Sequence, residues 1–208
     1  MRKRPQQERS QQMVTALIEA TALCISKYGL DAVTTPKIAE MAGVSVGSLY
    51  QYFDDKQALI EALIESGTHE VVKALQTLIS QIESNSLEDI VKQSIQYGFS
   101  LLQQSDGLYL EIVKNWHRLP MQKMVDVMQS FSLDFGRLFF TKHYQTHSIQ
   151  NLHVKFFIIV NSTLFTMMQS MSGQNPMIQQ EELAQELTNM IVGYLQQEAP
   201  SSVLKPVF

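Results

Sequence analysis

Apolar side chains recur at three- and four-residue intervals along most of the chain, the spacing that places them on one face of an α-helix. The first such segment runs from about Gln7 to Tyr28 and stops at a glycine. Regularly spaced strands bounded by turn residues are not found. Longer helical segments follow at about 56–81, 87–104, 106–117, 121–145, 150–172 and 180–197. The pattern predicts an all-α fold of about nine helices.

Two short helices are predicted between residues 34 and 53. The tripeptide Thr-Thr-Pro at 34–36 offers a hydroxyl N-cap and a first-turn proline, and Gly43 ends the helix that follows. Ser45 can cap a third helix from Val46 to about Phe53. A tight glycine-containing turn between two short helices is typical of a helix-turn-helix.

The composition narrows the class of protein. With 208 residues, 45% hydrophobic and 17% charged, the chain can bury a sizeable core. Its single cysteine, Cys24, excludes an internal disulfide and a cysteine-rich metal site, and suits a reducing compartment. The basic N-terminus leads into a Gln-rich stretch rather than an apolar one, and the longest apolar run spans only 156–160. We therefore expect a soluble, cytoplasmic protein that does not enter a membrane.

Charge is distributed unevenly. The net charge of −4 divides into +1 over residues 1–56 and −5 over the remainder. Four cations, Arg2, Lys3, Arg4 and Arg9, precede the main apolar pattern of the first helix. They form a basic arm that can lie along phosphates, although short terminal basic clusters are often only solvated.

The stretch AVTTPKIAEMAGVSVGSLYQYFDDKQAL at residues 32–59 resembles the TetR family of bacterial transcriptional regulators. The segment from Leu17 to Gly29 is similar to the first helix of that family. The resemblance implies a two-domain homodimer of nine helices, whose third helix enters the major groove of DNA. It also implies that the C-terminal helical body holds a small effector and the dimer interface. We assign residues 1–56 to the helix-turn-helix domain and 57–208 to the effector-binding and dimerisation domain.

The outward side of the third helix carries the predicted DNA contacts. Ile38, Ala39 and Leu49 are expected to pack against the first helix. The remaining side chains can meet phosphates, base edges or a thymine methyl. Cations and free N–H groups at the starts of helices two and four favour phosphate. The predicted contacts are Thr35, Lys37, Ser45, Val46, Gly47, Ser48, Tyr50, Gln51, Tyr52 and Lys56.

Two positions depart from the commoner family pattern. Pro36 and Val46 stand where cationic residues are frequent, so fewer fixed charges are available for phosphates. Hydroxyls, backbone groups, Lys37, Lys56 and the basic arm are expected to compensate. For Tyr50 and Tyr52, the alternative is that the rings simply cover the small core.

Dimerisation follows from geometry as well as from the resemblance. A two-fold dimer presents two recognition helices about 34–36 Å or more apart, so a near-palindromic DNA operator is expected. The apolar segments 153–171 and 183–195 are the candidate dimer interface. The alternative is that they form the core within a single chain. The candidate side chains are Phe157, Val160, Leu164, Met167, Met168, Leu187, Ile191 and Leu195.

Methionine and aromatic residues are concentrated in the middle of the chain, where they suit an adaptable apolar cavity. We expect a small, largely apolar or aromatic effector that releases a repressor from its operator. The alternative is a regulator or nucleoid-associated protein controlled by a protein partner. The candidate effector contacts are Tyr97, Trp116, His117, Met124, Met128, Phe131, Asn161 and Phe165, although most such stripes are plain core.

Enzymatic and metal-dependent functions are not expected. The sequence has no glycine-rich phosphate loop, nucleophile elbow or paired-carboxylate constellation. His143 and His147 have the spacing of a shared metal site on a helix, but no third ligand accompanies them, so solvated histidines are the simpler interpretation. No catalytic residue, metal or cofactor is therefore predicted.

Overall fold

A computed structural model describes residues 4–82, 86–104, 107–144, 150–172 and 177–196. These residues contain no strand, which confirms the all-α fold. Within the described ranges, none of the helices has the length and apolar character needed to cross a bilayer. The described residues form nine α-helices in chain order: α1 (Arg4–Tyr28), α2 (Thr35–Met41), α3 (Val46–Leu49), α4 (Lys56–Gln81), α5 (Leu87–Gln104), α6 (Leu108–Lys114), α7 (Gln122–Tyr144), α8 (Leu152–Met171) and α9 (Gln180–Gln196).

Three predicted boundaries are corrected by the structure. Regular helix in α3 ends at Leu49, and the backbone continues as a turn in which the N–H of Phe53 donates to Leu49 O at 3.1 Å. The segment predicted as helix 106–117 is a shorter α6 followed by a 3-10 turn, Trp116–Arg118. Arg4 and Arg9 belong to α1, because helical backbone begins earlier than the apolar pattern does. Arg2 and Lys3 lie outside the described residues.

The chain divides into two compact units. One comprises Met1–Gly67 and Gln103–Met121, and the other comprises Thr68–Leu102 and Gln122–Phe208. The first unit extends beyond residue 56, where the sequence predicts the domain boundary. It also includes the start of α4 and helix α6, which is far from the helix-turn-helix in sequence. The assignment of DNA binding and effector binding to residues 1–56 and 57–208 stays a prediction.

The core of the first unit lies between α1, α2 and α3. Ile38, Ala39 and Leu49 are fully buried, as expected from the sequence, and α2 packs against both α1 and α3. The α1 side of this core consists of Leu17, Ala20, Thr21, Cys24 and Ile25, all 3% exposed or less. Burial of α3 through one leucine leaves the rest of this one-turn helix directed outward.

The second unit has a separate core. Its buried side chains come from α5, α7, α8 and α9, and they include Leu87, Ile90, Ile95, Phe99, Phe139, Ile159, Met167, Ala184, Leu187, Ile191 and Leu195. The ring of Phe156 on α8 fills the space that a side chain at Gly136 of α7 would need, so these two helices approach closely. Burial of this apolar surface holds the second unit together.

Helix α8 has two apolar faces. Phe156, Ile159 and Val160 are buried on the inner face. An outer set, here called the α8 stripe, recurs at helical spacing and consists of Val154, Phe157, Ile158, Asn161 and Phe165. Its four apolar members are 43–56% exposed. A helix that is apolar on both sides has one face left over once the core of its own unit is filled.

Candidate nucleic-acid interface

The start of α2 is organised by two threonines. Thr34 has an extended backbone and its hydroxyl accepts from the N–H of Lys37 at 3.5 Å, with Pro36 in the first turn. The hydroxyls of Thr35 and Tyr50 are hydrogen-bonded at 3.1 Å. Two predicted DNA contacts from different segments are thereby held next to each other.

The turn between α2 and α3 depends on a left-handed glycine. Gly43 has φ 68°, a conformation that side chains other than glycine adopt with strain. The N–H of Gly43 donates to Glu40 O at 3.1 Å and that of Val44 to Ala39 O at 2.9 Å, which closes the end of α2. This tight turn sets the angle at which α3 leaves α2.

Helix α3 begins at a serine cap, and the exposed side chains lie on α3 and on the turn that follows it. Ser45 Oγ accepts from the N–H of Ser48 at 3.0 Å, and the two serine hydroxyls are 2.9 Å apart. Val46, Tyr50 and Tyr52 are 36%, 50% and 37% exposed. Gly47 and Gln51 are also exposed. The surface therefore offers hydroxyls, an amide and one apolar side chain, the groups that read base edges and phosphates.

Lys37 is held in place rather than extended into solvent. Its ammonium donates to Ala32 O at 2.8 Å and lies 4.9 Å from the centre of the Tyr28 ring. The ammonium of Lys27 lies 5.1 Å from the same ring. A hydrogen bond to Tyr28 raises the pKa of Lys27 above its ordinary value. Two cations thus share one exposed aromatic ring beside the start of α2.

The part played by Tyr28 in this arrangement is not predicted by the sequence. The pattern marks Tyr28 only as the end of the first helix, because a tyrosine beside a glycine stop carries no motif of its own. Its contact with Lys37 joins two different helices across an irregular connection. An exposed aromatic residue next to Lys27 is the one signal that could have indicated it.

The remaining predicted DNA contact, Lys56, is the first residue of α4 and is half-buried. The carboxylate of Asp55 caps this helix by accepting from the N–H of Ala58 at 2.8 Å. The structure thus places all ten predicted contacts within the first unit, on α2, on α3 with its flanking turns, and at the start of α4.

The candidate effector residues are divided between the two units. Trp116 and His117 belong to the first unit, where their rings meet edge to face with centres 6.4 Å apart. Asn161 and Phe165 are members of the α8 stripe, and the amide of Asn161 donates to Phe157 O at 2.8 Å. Tyr97 on α5 and Met124, Met128 and Phe131 on α7 are half-buried in the second unit.

One polar atom in the second unit is unsatisfied. Among the described residues, the hydroxyl of Thr163 is buried and has no hydrogen-bond partner. Thr163 lies on the inner face of α8, one turn from Ile159 and one turn from Met167, which are both buried. A buried hydroxyl without a hydrogen-bond partner in apolar surroundings destabilises the fold, and a ligand that hydrogen-bonds to it would remove this cost.

The described residues hold no cluster of His, Cys, Asp and Glu suited to a metal ion. The side chains of His143 and His147 lie outside the described residues. Cys24 is a free, buried cysteine, and burial raises the pKa of its thiol. A buried thiol with a raised pKa is a poor nucleophile.

The exposed α3, its short turn from α2 and the helical second unit together define a DNA-binding transcriptional regulator with an N-terminal helix-turn-helix. The family model for bacterial regulatory proteins of the tetR family matches residues 17–63. The chain belongs to the tetR family. Regulators of this family bind DNA and dimerise, and in general they are not enzymes.

Relatives and solved structures extend the likeness beyond the helix-turn-helix. The nucleoid occlusion factor SlmA of Haemophilus ducreyi is 30% identical over 160 residues, covering 67% of this chain and 74% of that protein. FadR of Bacillus subtilis, solved with stearoyl-CoA, is 17% identical, covers 86% of this chain and 98% of its own, and has a TM-score of 0.62. RolR, solved with resorcinol, is 16% identical, covers 93% and 96%, and has a TM-score of 0.64. At these identities the two solved structures share the fold with this chain.

Proposed function

We propose that the chain is a homodimeric repressor that occupies a near-palindromic operator and is released from it by a small, largely apolar effector. The observation that supports DNA binding is the exposed surface of α3 and the turn after it. Val46, Tyr50 and Gln51 are exposed there, and the hydroxyl of Tyr50 is hydrogen-bonded to that of Thr35. The hydroxyl and amide groups on this surface suit hydrogen bonds to phosphates and base edges.

The α8 stripe supports the homodimer. It carries no charged residue, and its apolar members stay exposed while the inner face of the helix is buried. A second copy related by a two-fold axis would cover the stripe with the same stripe, as in an isologous helical interface. On α9, which packs against α8, Met190 is also 43% exposed.

The expected list of interface residues changes in this proposal. Val160, Met167, Leu187, Ile191 and Leu195 are buried within the chain itself, so we assign them to the core of the second unit. Phe157 is exposed, while Leu164 and Met168 are half-buried close to the stripe. Asn161 and Phe165, predicted as effector contacts, share the stripe and are assigned to the dimer interface instead.

The unpaired hydroxyl of Thr163 supports an effector site inside the second unit. A ligand that is mostly apolar, with one hydrogen-bonding group, would satisfy this hydroxyl. The half-buried side chains of Tyr97, Met128 and Phe131 in the same unit stay candidate contacts. RolR and FadR, which share the fold, were solved with resorcinol and stearoyl-CoA, and each ligand combines apolar and polar groups. Trp116 and His117 stay candidate contacts without further support.

The test of repression starts from DNA. The full chain is used to select binding sites from a random duplex library, and the affinity and stoichiometry for the selected site are then measured. We expect a near-palindromic site bound by two chains. A panel of phenols, aromatic acids and acyl compounds is then screened for compounds that raise the melting temperature and weaken operator binding together. Failure of the chain to select a DNA sequence contradicts operator binding. Failure of every compound to produce both effects contradicts release by a small effector.

A second candidate function is a nucleoid-associated role under the control of a protein partner. It is favoured by the 30% identity to SlmA of Haemophilus ducreyi, which is higher than the 17% and 16% identities to the ligand-bound regulators. Genome-wide mapping of bound sites separates the two. A repressor occupies a few sites upstream of genes whose transcripts rise when the chain is deleted. A nucleoid-associated protein occupies many dispersed sites, and its deletion leaves neighbouring transcripts unchanged.

A further inference from the structure

A closed network of polar contacts joins α6 to the connection between α1 and α2, within the first unit. The carboxylate of Glu111 accepts from the backbone N–H of Leu30 at 3.0 Å, across 81 positions of sequence. It also accepts from the amide of Asn115 at 3.2 Å. The guanidinium of Arg118 donates to Asn115 at 3.2 Å and to the carboxylate of Asp31 at 2.6 Å. The network therefore begins and ends on two adjacent residues.

The two ends of the network differ in strength. The side chains of Arg118 and Asp31 are 50% and 76% exposed, and ion pairs at such surfaces contribute little. The bond from Leu30 to Glu111 is partly buried and has a charged acceptor, and bonds of that kind are among the stronger ones in proteins. Glu111 is therefore the principal contact, and the ion pair is the weaker outer one.

The residue before Leu30 is a glycine whose backbone conformation and missing side chain allow this close approach. Gly29 has φ 77° and ψ 159°, a region that is nearly restricted to glycine. A Cβ at this position would lie 3.3 Å from the Glu111 carboxylate. The absence of a side chain thus gives the carboxylate room beside the N–H of Leu30.

The segment held by Glu111 carries a predicted DNA contact on its other side. Leu30 and Ala32 belong to one 3-10 turn, and Ala32 O accepts from the ammonium of Lys37. Shortly after this turn, Thr34 caps α2. A displacement of the turn would therefore shift both Lys37 and the first residues of α2.

We propose that Glu111 is a positioning residue for operator binding: by holding the 3-10 turn Leu30–Ala32, it fixes Lys37 and the start of α2 for contact with DNA. The inference rests on the operator binding proposed above, and it adds a residue far from the helix-turn-helix in sequence. Glu111 touches no DNA itself in this scheme and acts through the turn.

The test compares Glu111→Ala with Glu111→Gln in the full-length chain, using the DNA site selected by the wild type. Alanine removes the acceptor, whereas the glutamine side-chain oxygen retains it without the charge. Glu19→Ala removes an exposed carboxylate from α1 of the same unit and is the matched control for charge. Affinity is measured across a salt series, and exchange of the Leu30 amide hydrogen is followed in the free protein.

We expect Glu111→Ala to lower operator affinity about tenfold and to reduce the salt slope by about one, as for a lost Lys37 contact. If Glu111→Ala only lowered the stability of a chain that still folds, the salt slope of operator binding would stay unchanged. Glu111→Gln and Glu19→Ala are expected to stay within about threefold of wild type. The Leu30 amide exchanges faster in Glu111→Ala only, because its acceptor has gone.

The experiment separates failure of the inference about Glu111 from failure of the proposed operator binding. A wild-type chain that selects no DNA overturns operator binding and this inference with it. A wild type that selects a site, with a folded Glu111→Ala that binds as tightly although its Leu30 amide exchanges faster, overturns only the inference. If Glu111→Ala does not fold, Glu111→Asp keeps the charge but draws the acceptor back from the N–H of Leu30. A loss of operator affinity of about tenfold then supports the inference, and unchanged affinity with a faster-exchanging Leu30 amide overturns it.

Discussion

At the scale of single residues, the predicted DNA-facing surface has few charges. Pro36 and Val46 are uncharged, and the ammonium of Lys37 is held in one position by Ala32 O and the Tyr28 ring. The exposed part of α3 offers mainly hydroxyl, amide and backbone groups. We therefore predict that affinity for DNA depends on accurate placement of hydrogen bonds more than on the number of cations.

Val46→Lys tests that interpretation by adding charge where α3 is exposed. We expect tighter operator binding at low salt and a salt slope steeper by about 0.9, because one more phosphate is neutralised. Leu23→Lys is the matched control, since Leu23 is 57% exposed on α1 of the same unit and lies away from α3 in sequence. Fluorescence anisotropy over a salt series measures both. Equal effects of the two substitutions would contradict the assignment of α3 to the DNA face.

Gly29→Ala tests the strained residue beside Glu111. Its positive φ and the approach of its Cβ to the Glu111 carboxylate predict a loss of about 1–3 kcal/mol in the free energy of unfolding. Gly67 lies in α4, and a Cβ at this position would have no neighbour within 4 Å, so Gly67→Ala should stabilise by about 0.5–1 kcal/mol. Urea unfolding at one fixed protein concentration measures both changes. Similar signs for the two variants would be the contrary result.

At the scale of elements, short segments depend on their neighbours more than long ones do. Helix α3 has one turn and is fixed by its serine cap and by the burial of Leu49. The 3-10 turn Leu30–Ala32 is fixed by contacts to Glu111 and Arg118. By contrast, the long helices α5, α8 and α9 form close to their predicted bounds, because many apolar residues mark the buried face of each.

The ion pair between Asp31 and Arg118 predicts an acid-sensitive contribution to stability. A hydrogen bond from Arg118 and its positive charge lower the pKa of Asp31 in the folded state. The contribution is therefore complete above the ordinary pKa of Asp and is lost as pH falls through the lowered value. Both groups are exposed, so the effect is small. Melting temperatures of wild type and Asp31→Asn should differ near pH 6 and converge from about pH 4 downwards. A gap that persists at low pH would exclude this ion pair as its source.

At the scale of the whole molecule, the proposed function assigns DNA recognition and dimerisation to different units of the chain. The predicted DNA contacts belong to the first unit, and the α8 stripe belongs to the second. A palindromic operator is read only if two chains associate through a surface that contacts no DNA. Loss of the stripe should therefore weaken operator binding without changing the DNA-facing side chains.

Phe157→Glu tests this separation by placing a charge in the centre of the stripe. We expect a shift from dimer to monomer in sedimentation, because covering the stripe would bury an unpaired carboxylate. Operator affinity should fall at least about tenfold, since each chain then binds one half-site alone. Leu138→Glu, on an α7 position that is 72% exposed, is the control and should leave the dimer intact. A dimeric Phe157→Glu chain with unchanged circular dichroism would place the interface elsewhere.

The sequence by itself determined the all-α class, the positions of the long helices and the buried residues of the helix-turn-helix. These features are local: caps at Thr34 and Ser45, the Gly43 turn and the spacing of Leu17, Cys24 and Ile25 are all readable within one segment. The motif at residues 32–59 also indicated the tetR family, because its glycines, hydroxyl residues and aromatic residues stand at the spacing typical of that family.

Only the tertiary structure decided which apolar residues of α8 are core and which are exposed, since periodicity gives the faces of a helix but not their partners. It also decided that Lys37 is held by Tyr28 and Ala32, and that Glu111 reaches Leu30 across 81 positions. Such contacts depend on how distant segments are brought together, and no single segment of sequence encodes them. The exposed side chains of the helix-turn-helix were therefore predictable, whereas the contacts that hold them in position were not.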